Sequence, residues 1–181
     1  MTLQIRPLST ALGAEILGID PSREIADAVF AEIHQAWLEH TLLLFRGVAW
    51  TPEQQIAFTK RFGPLHIMTP LHFNLPDHPE VFQVSNVVRS GKSVGLKRAG
   101  WGWHSDGEDK RVPNAGSLLY AVTVPPEGGN TGFANMYKAY DALPEEIRGR
   151  IEGRRVRTSR IQLHNVHYPD LPPLTEEDKR D

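Results

Sequence analysis

Hydrophobic and polar residues alternate over short stretches near the N-terminus. Leu3–Arg6 and Ala14–Ile19 follow this two-residue period, which is typical of strands. Between Glu24 and His40 the apolar residues recur at every fourth position, so this segment is predicted to form an amphipathic helix. The continuous apolar run Thr41–Phe45 then predicts a strand that is covered on both faces.

A helix start is recognisable at Thr51 from its local chemistry. Thr51 is suited to cap the helix, Pro52 loses no needed donor at the first helical position, and Gln54 is placed to close a capping box. This helix is predicted to run to about Phe62 and to stop at Gly63–Pro64.

The remainder of the chain is predicted to alternate between strands, helices and loops. The strands are Val81–Val88 and Ser117–Val124, the helices are Asn135–Ala142 and Pro144–Glu152, and the loops are Arg89–Gly100 and Tyr168–Asp181. Together these elements indicate an α+β protein in which helices flank an antiparallel β core.

The composition is that of an ordinary globular protein. The 181 residues are 40% hydrophobic and 23% charged, so a single domain over 1–181 is expected. A formal net charge of -2 does not favour a nucleic-acid or membrane partner. Cysteine is absent, which excludes disulfides and thiolate ligands, and Met1–Gly18 does not read as a signal peptide. A cytoplasmic protein is therefore expected.

The residues that carry candidate chemistry are His104 and Asp106. In a strand, side chains two positions apart point to the same face, so imidazole and carboxylate are expected to converge on one ion. This pair suits Fe(II), Mn(II) or Zn(II), and it is two thirds of the facial triad of non-haem Fe(II) oxygenases. On its own the motif is weak, and a histidine hydrogen-bonded to a nearby carboxylate is the alternative.

Several further motifs occur in a characteristic order. They are Gly13–Ile16, Gly18–Asp20, Leu43–Arg46, Thr51–Gln55, Arg61–His66, Trp103–Asp106, Pro125–Thr131 and Tyr137–Pro144. In these motifs and their spacing, the chain resembles the taurine dioxygenase-like (TauD/TfdA) family of 2-oxoglutarate-dependent oxygenases along essentially all of its length.

The resemblance implies a fold and an activity. The fold is a double-stranded β-helix, a jelly-roll or cupin-like core with flanking helices. The activity is that of an Fe(II)- and 2-oxoglutarate-dependent dioxygenase, which uses O2 to hydroxylate a small organic substrate and releases succinate and CO2. Carried over by position, His104 and Asp106 are the first two metal ligands, and the hydroxyl of Thr131 donates to a carboxylate of 2-oxoglutarate.

The family's second metal histidine and its 2-oxoglutarate arginine belong to a C-terminal segment with no counterpart here. We therefore expect the chain to be C-terminally incomplete, with the last strands absent, and we expect little or no turnover from 181 residues alone. His164 and His167 follow Asp106 but are predicted to be surface-loop residues. The arginines of residues 148–160 are predicted to form a solvated helix face and strand.

The substrate pocket is predicted to include His66, Met68, Asn86 and Trp101. Met68 and Leu71 suit an apolar group, which disfavours taurine itself, and the substrate and the choice between monomer and homo-oligomer stay open. Two alternatives to the dioxygenase also stay open. One is a non-catalytic cupin-like ligand- or metal-binding module, and the other is a zinc hydrolase built on the same pair.

Overall fold

Short strands and helices alternate along the chain, which confirms the α+β class. The computed structural model describes residues 3–68, 73–96, 99–100, 102–169, 171–176 and 179. The strands are β1 (Gln4–Pro7), β2 (Ala14–Leu17), β3 (Leu43–Leu44), β4 (Asn74–Leu75), β5 (His78–Phe82), β6 (Val88–Arg89) and β7 (Lys92–Ser93). The helices are α1 (Asp27–His40), α2 (Pro52–Lys60), α3 (Met136–Asp141), α4 (Glu145–Ile151) and α5 (Arg160–His167).

The chain divides into two compact units, unit 1 (Met1–Phe62 with Tyr120–Arg154) and unit 2 (Gly63–Leu119 with Arg155–Asp181).

Unit 1 contains a three-stranded sheet in the order β1-β2-β3. β1 pairs with β2 in antiparallel fashion, but β2 pairs with β3 in parallel, so this sheet is mixed rather than purely antiparallel as expected. The central strand carries a buried Glu15, which is 3% exposed and forms ion pairs with Arg6 and Arg46. Its two partners explain how a carboxylate is accommodated there, because a buried charge is tolerated only when it is paired.

Helix α1 supplies the apolar face that the four-residue spacing predicts, although it begins at Asp27 rather than at Glu24. Ile33 is completely buried on this face, together with Phe30 and Ala36. Phe30 packs edge-on against Phe62 with a centroid distance of 4.8 Å, and Phe58 of α2 lies 6.1 Å from Phe30. Edge-to-face aromatic pairs of this kind add to the stability gained from burial.

The predicted start of α2 is confirmed in detail. The Thr51 hydroxyl accepts from the Gln54 backbone N–H at 3.3 Å, and the Gln54 side chain accepts from the Thr51 N–H at 2.8 Å. This reciprocal capping box satisfies two of the orphan donors at the helix N-terminus.

Unit 2 contains two small hairpins where the sequence predicts one strand over Val81–Val88. β4 pairs with β5, and β6 pairs with β7, which lies inside the predicted loop Arg89–Gly100. The single-strand prediction is wrong because the Ser85 hydroxyl accepts from the Val87 N–H at 3.1 Å and draws the backbone out of a ladder. Ser90 and Gly91, at φ 48° and 76°, form the left-handed two-residue turn between β6 and β7.

The predicted strand Ser117–Val124 does not form, because in the described ranges no strand pairs with it. Its apolar side chains stay in contact with solvent, since Leu119 is 69% and Val122 82% exposed.

Residues 160–167 form a helix where the sequence predicts a loop around His164. The Ser159 side chain caps this helix, α5, by accepting from the Gln162 N–H at 3.3 Å, a local signal that the prediction overlooked. Among the described residues, no helix has the length and apolar character needed to cross a membrane.

Candidate metal centre

The side chains of His104 and Asp106 meet on one loop of unit 2. His104 Nε2 lies 3.3 Å from Asp106 Oδ1, so the predicted convergence of the pair occurs in the structure. It does not come from strand alternation, because residues 103–105 are irregular and 106–109 form a turn. The predicted strand geometry is therefore wrong at this point. We call residues 102–117 the metal loop.

The orientation of the imidazole defines which nitrogen is available. His104 Nδ1 lies 2.8 Å from the carbonyl oxygen of Gly102, and since a carbonyl only accepts, Nδ1 carries the hydrogen of this bond. In the neutral ring Nε2 then presents its lone pair toward Asp106. A backbone carbonyl that holds the distal ring nitrogen is the usual support of a metal-bound histidine.

The carboxylate of Asp106 is held in a similar way. The Ser117 hydroxyl donates to Oδ2 at 2.6 Å, which leaves Oδ1 directed at His104. Nothing local in the sequence connects Ser117 with Asp106, so motif reasoning did not find this residue. Both ligand candidates are thus oriented by a hydrogen bond on the side away from their partner.

Nε2 of His104 and Oδ1 of Asp106 face each other at 3.3 Å, so both atoms can direct an electron pair at one metal ion. Two ligands at right angles, each about 2.1 Å from an ion, stand about 3 Å apart, close to the observed separation. Imidazole nitrogen with carboxylate oxygen is a donor set for first-row divalent metals. The side chains are 46% and 52% exposed, so an ion and further ligands have access. The pair therefore fits a divalent metal.

The backbone after Asp106 turns sharply at Gly107. Gly107 has φ 73°, and a Cβ there would lie 2.9 Å from Cγ of Asn114, so both conformation and space favour glycine. The turn is closed by Lys110 N–H, which donates to the Gly107 carbonyl at 3.1 Å, and by Glu108, whose carboxylate accepts from the Ser105 N–H at 3.3 Å.

Lys110 ends this turn among charged neighbours. It is half-buried, and its Nζ donates to Asn114 Oδ1 at 3.4 Å. Burial lowers the pKa of Lys110, as does Arg160, whereas Asp109 and Asp106 raise it.

His66, a predicted pocket residue, belongs to the same neighbourhood. Its pKa is lowered by partial burial first, then by the charges of Lys110 and Arg160, against a smaller opposite effect of Asp109. The charges of Lys110 and Arg160 thus act on His66 within unit 2.

Two of the other predicted pocket residues, Met68 and Asn86, can be located in the structure. Met68 is 39% exposed, and its carbonyl accepts from the Asn74 side chain at 3.0 Å. Asn86 is exposed between the two hairpins of unit 2. Trp101 and Leu71 lie outside the described residues, so the pocket remains a prediction.

The role of Thr131 in binding 2-oxoglutarate stays a prediction, and the loop position predicted for His164 is wrong. Thr131 is exposed in an irregular stretch of unit 1. His164 is a half-buried residue of α5 rather than a loop residue, and its Nε2 lies 3.0 Å from the Pro172 carbonyl. Among the described residues, no group of three or more histidines, aspartates or glutamates could hold a metal ion.

Comparisons with known proteins bear on the chain as a whole. The (S)-phenoxypropionate/alpha-ketoglutarate-dioxygenase of Sphingobium herbicidovorans is 35% identical over 173 residues, which cover 91% of this chain and 54% of that protein. A crystal structure of a taurine dioxygenase from Burkholderia xenovorans has a TM-score of 0.71 at 34% identity, covering 83% of this chain and 51% of that one. The crystal structure of AAD-2 with Mn(II) and N-oxalylglycine has a TM-score of 0.68 at 33% identity, covering 84% and 54%.

The chain therefore spans about half the length of the relatives it matches. The family model for the "Taurine catabolism dioxygenase TauD, TfdA family" matches residues 4–180, which is nearly all of the chain. On this match, the chain belongs to the taurine catabolism dioxygenase TauD, TfdA family.

Proposed function

We propose that this chain supplies the His104–Asp106 half of the metal site of an Fe(II)- and 2-oxoglutarate-dependent dioxygenase that hydroxylates a small organic substrate. The observation that carries the proposal is the 3.3 Å approach of Nε2 to Oδ1, with both side chains held from behind by Gly102 and Ser117. Such preorganisation is typical of metal ligands. The jelly-roll core implied by the resemblance is the fold we propose for a polypeptide of full family length.

The residues divide the work as follows. His104 and Asp106 hold the ion, and Thr131 donates its hydroxyl to a carboxylate of 2-oxoglutarate. When bound, iron and 2-oxoglutarate supply the oxidising chemistry, in which 2-oxoglutarate and O2 yield succinate and CO2 while the substrate gains one oxygen atom. The relative from Sphingobium is named for phenoxypropionate, so an organic acid is the substrate class we propose.

Metal binding tests the proposal most directly. Mn(II) is titrated into the 181-residue chain, and free Mn(II) is followed by electron paramagnetic resonance. We expect binding that Fe(II) competes away under anaerobic conditions, because Fe(II) stands above Mn(II) in the affinity order for such ligands. His104→Ala and Asp106→Asn should each weaken binding by at least about a hundredfold, since loss of a mere supporting residue costs about 10- to 100-fold.

The matched control is His164→Ala, whose ring nitrogen is engaged by the Pro172 carbonyl. This variant should retain the Mn(II) affinity of the parent chain. Equal Mn(II) binding by the His104→Ala and parent chains would refute the assignment of the centre.

Linkage with 2-oxoglutarate separates the dioxygenase from a simple metal-binding module. 2-Oxoglutarate should raise the affinity for Mn(II), and by reciprocity Mn(II) should raise the affinity for 2-oxoglutarate, whereas glutarate, which lacks the oxo group, should do neither. Thr131→Val should weaken 2-oxoglutarate binding without changing Mn(II) affinity. Metal binding without any such coupling would favour the non-catalytic module.

A further inference from the structure

Thr131, the proposed donor to 2-oxoglutarate, lies in an irregular segment of unit 1. Residues 130–135 belong to no helix or strand, and Thr131 is exposed. A hydroxyl in such a segment binds a carboxylate well only if the backbone holds it in one place, because ordering a loop on binding costs free energy. The segment has two anchors, one on each side of Thr131.

The first anchor is the tight turn that precedes Thr131. Gly128 and Gly129 have φ 71° and 67°, a left-handed conformation that glycine adopts without strain. A Cβ on Gly129 would lie 2.9 Å from Cγ of Pro125, so the turn packs too closely for a larger residue. This turn fixes the direction in which the chain enters the segment.

The second anchor is the side chain of Asn135, four residues after Thr131. Its Nδ2 donates to the carbonyl oxygen of Ala11 at 2.8 Å, and its Oδ1 accepts from the Lys138 N–H at 3.1 Å. The first bond ties the segment to a residue 124 positions away in the sequence, and the second caps helix α3. Because the donor and the acceptor of this amide are both engaged, its orientation is fixed.

Lys138, the third residue of α3, reinforces this anchor. Its Nζ donates to the carbonyl oxygen of Thr10, next to Ala11. The turn that receives both side chains is itself braced, since the Ser9 hydroxyl donates to the Leu12 carbonyl at 2.7 Å and accepts from the Leu12 N–H at 3.1 Å. This turn joins β1 to the largely buried strand β2. The start of α3 is therefore attached to the hairpin of the unit 1 sheet.

We propose that Asn135 and Lys138 are positioning residues for co-substrate binding, which hold Thr131 where its hydroxyl meets a carboxylate of 2-oxoglutarate. This inference rests on the proposed function and adds the residues that keep Thr131 in place. Both act through Thr131, since their polar side-chain groups are engaged within unit 1. Affinity for 2-oxoglutarate should therefore depend on them, whereas affinity for the metal ion should not, because the two ligand candidates belong to unit 2.

Calorimetric titration of the Mn(II)-loaded chain with N-oxalylglycine, which keeps both carboxylates of 2-oxoglutarate, tests the proposal. Asn135→Ser retains an N-cap acceptor but loses the amide N–H, and Lys138→Met keeps the side-chain length without the donor. Each should weaken N-oxalylglycine binding about three- to tenfold, because a displaced hydroxyl keeps part of its hydrogen bond. Thr131→Val removes that hydroxyl and should weaken binding about tenfold or more. Mn(II) affinity should change less than about twofold in all three variants.

A double-mutant cycle separates positioning from a general structural effect. If Asn135 acts through Thr131, Asn135→Ser should weaken N-oxalylglycine binding in the parent chain but have no further effect in the Thr131→Val chain. A merely structural loss would be the same in both backgrounds. Lys60→Met, at an exposed lysine that ends α2, is the control for Lys138→Met and should bind N-oxalylglycine like the parent chain.

Two outcomes would overturn the inference. One is unchanged N-oxalylglycine affinity in Asn135→Ser and Lys138→Met, and the other is an equal loss in the parent and Thr131→Val backgrounds. Failure of the proposed function looks different, since the parent chain then binds no N-oxalylglycine or Thr131→Val binds it as the parent does. In that case the inference fails as well, because Thr131 has no co-substrate to be positioned for.

Discussion

The sheet-and-helix part of unit 1 and the metal loop of unit 2 are held together by different forces. Among the described residues, six of the seven buried apolar side chains belong to unit 1: Ala14, Ile16, Phe30, Ile33, Ala36 and Phe58. In the metal loop no described residue is fully buried, and its order comes from hydrogen bonds such as Ser117 to Asp106. Burial is the main source of folding stability, whereas exposed polar bonds contribute little to it.

This difference has a functional consequence. A centre that contributes little to folding can be optimised for ligands, because its residues are not needed to keep the chain folded. Substitutions in unit 1 should therefore act on stability, and those in the metal loop on affinity.

The largest effect is expected from Ile33→Ala. Ile33 is 0% exposed, so its truncation leaves a cavity and should lower the free energy of unfolding by about 2–5 kcal/mol. Leu38→Ala in the same helix is the control. Because Leu38 is 59% exposed, this substitution should lower the free energy of unfolding by less than about 1 kcal/mol. Urea denaturation measures both, and similar losses would contradict the buried role of Ile33. The Mn(II) affinity of the folded Ile33→Ala chain should stay at the parent value.

The same contrast explains which parts of the structure could be predicted from the sequence. The capping box of Thr51 and Gln54 was predicted correctly because every group involved lies within four positions. The strand over 117–124 was predicted wrongly because a strand needs a partner, and the apolar pattern of Leu119 and Val122 says nothing about where that partner is. The hydrophobic pattern indicates that a segment tends to form a strand, but the strand forms only where a neighbouring strand pairs with it.

At the candidate metal centre the approach of the two side chains was predicted correctly, but the hydrogen bonds that hold them were not predicted. The spacing of His104 and Asp106 suggested a shared ion, yet a turn at Gly107 rather than a strand produces the approach. Thr158 reaches the loop by donating to the Glu108 carbonyl at 2.9 Å, and Ser117 contacts Asp106 from eleven positions away, so no local motif records either contact.

A smaller effect, and one limited to the metal loop, is expected from Ser117→Ala. The change removes the hydroxyl that donates to Asp106 Oδ2 at 2.6 Å, so the carboxylate loses its orientation and Mn(II) affinity should fall about 10- to 100-fold. The free energy of unfolding should change by less than about 0.5 kcal/mol, because the bond is exposed.

Ser105→Ala is the matched control for Ser117→Ala, since Ser105 lies exposed between the two ligand candidates in the same loop. It should leave Mn(II) affinity within about twofold of the parent, as ordinary surface changes do. Equal affinities for the Ser117→Ala and Ser105→Ala chains would show that the hydroxyl of Ser117 does not orient the ligand.

The smallest effect is expected at the start of α2, where a polar contact stabilises unit 1. Thr51→Ala removes the side-chain acceptor of the Gln54 N–H, so the free energy of unfolding should fall by about 1 kcal/mol, as is usual for a lost N-cap. Thr59→Ala, in the same helix, should instead have an effect near zero or slightly stabilising. Its hydroxyl only donates back to the Gln55 carbonyl at 2.6 Å, and alanine is the better helix former. Thermal unfolding of the two variants gives the comparison. If both substitutions changed the free energy of unfolding equally, the capping box would not be the contact that stabilises this helix. A loss in Thr51→Ala alone would show that a polar contact of unit 1 acts on folding. The polar contacts of the metal loop are expected to act on metal binding instead.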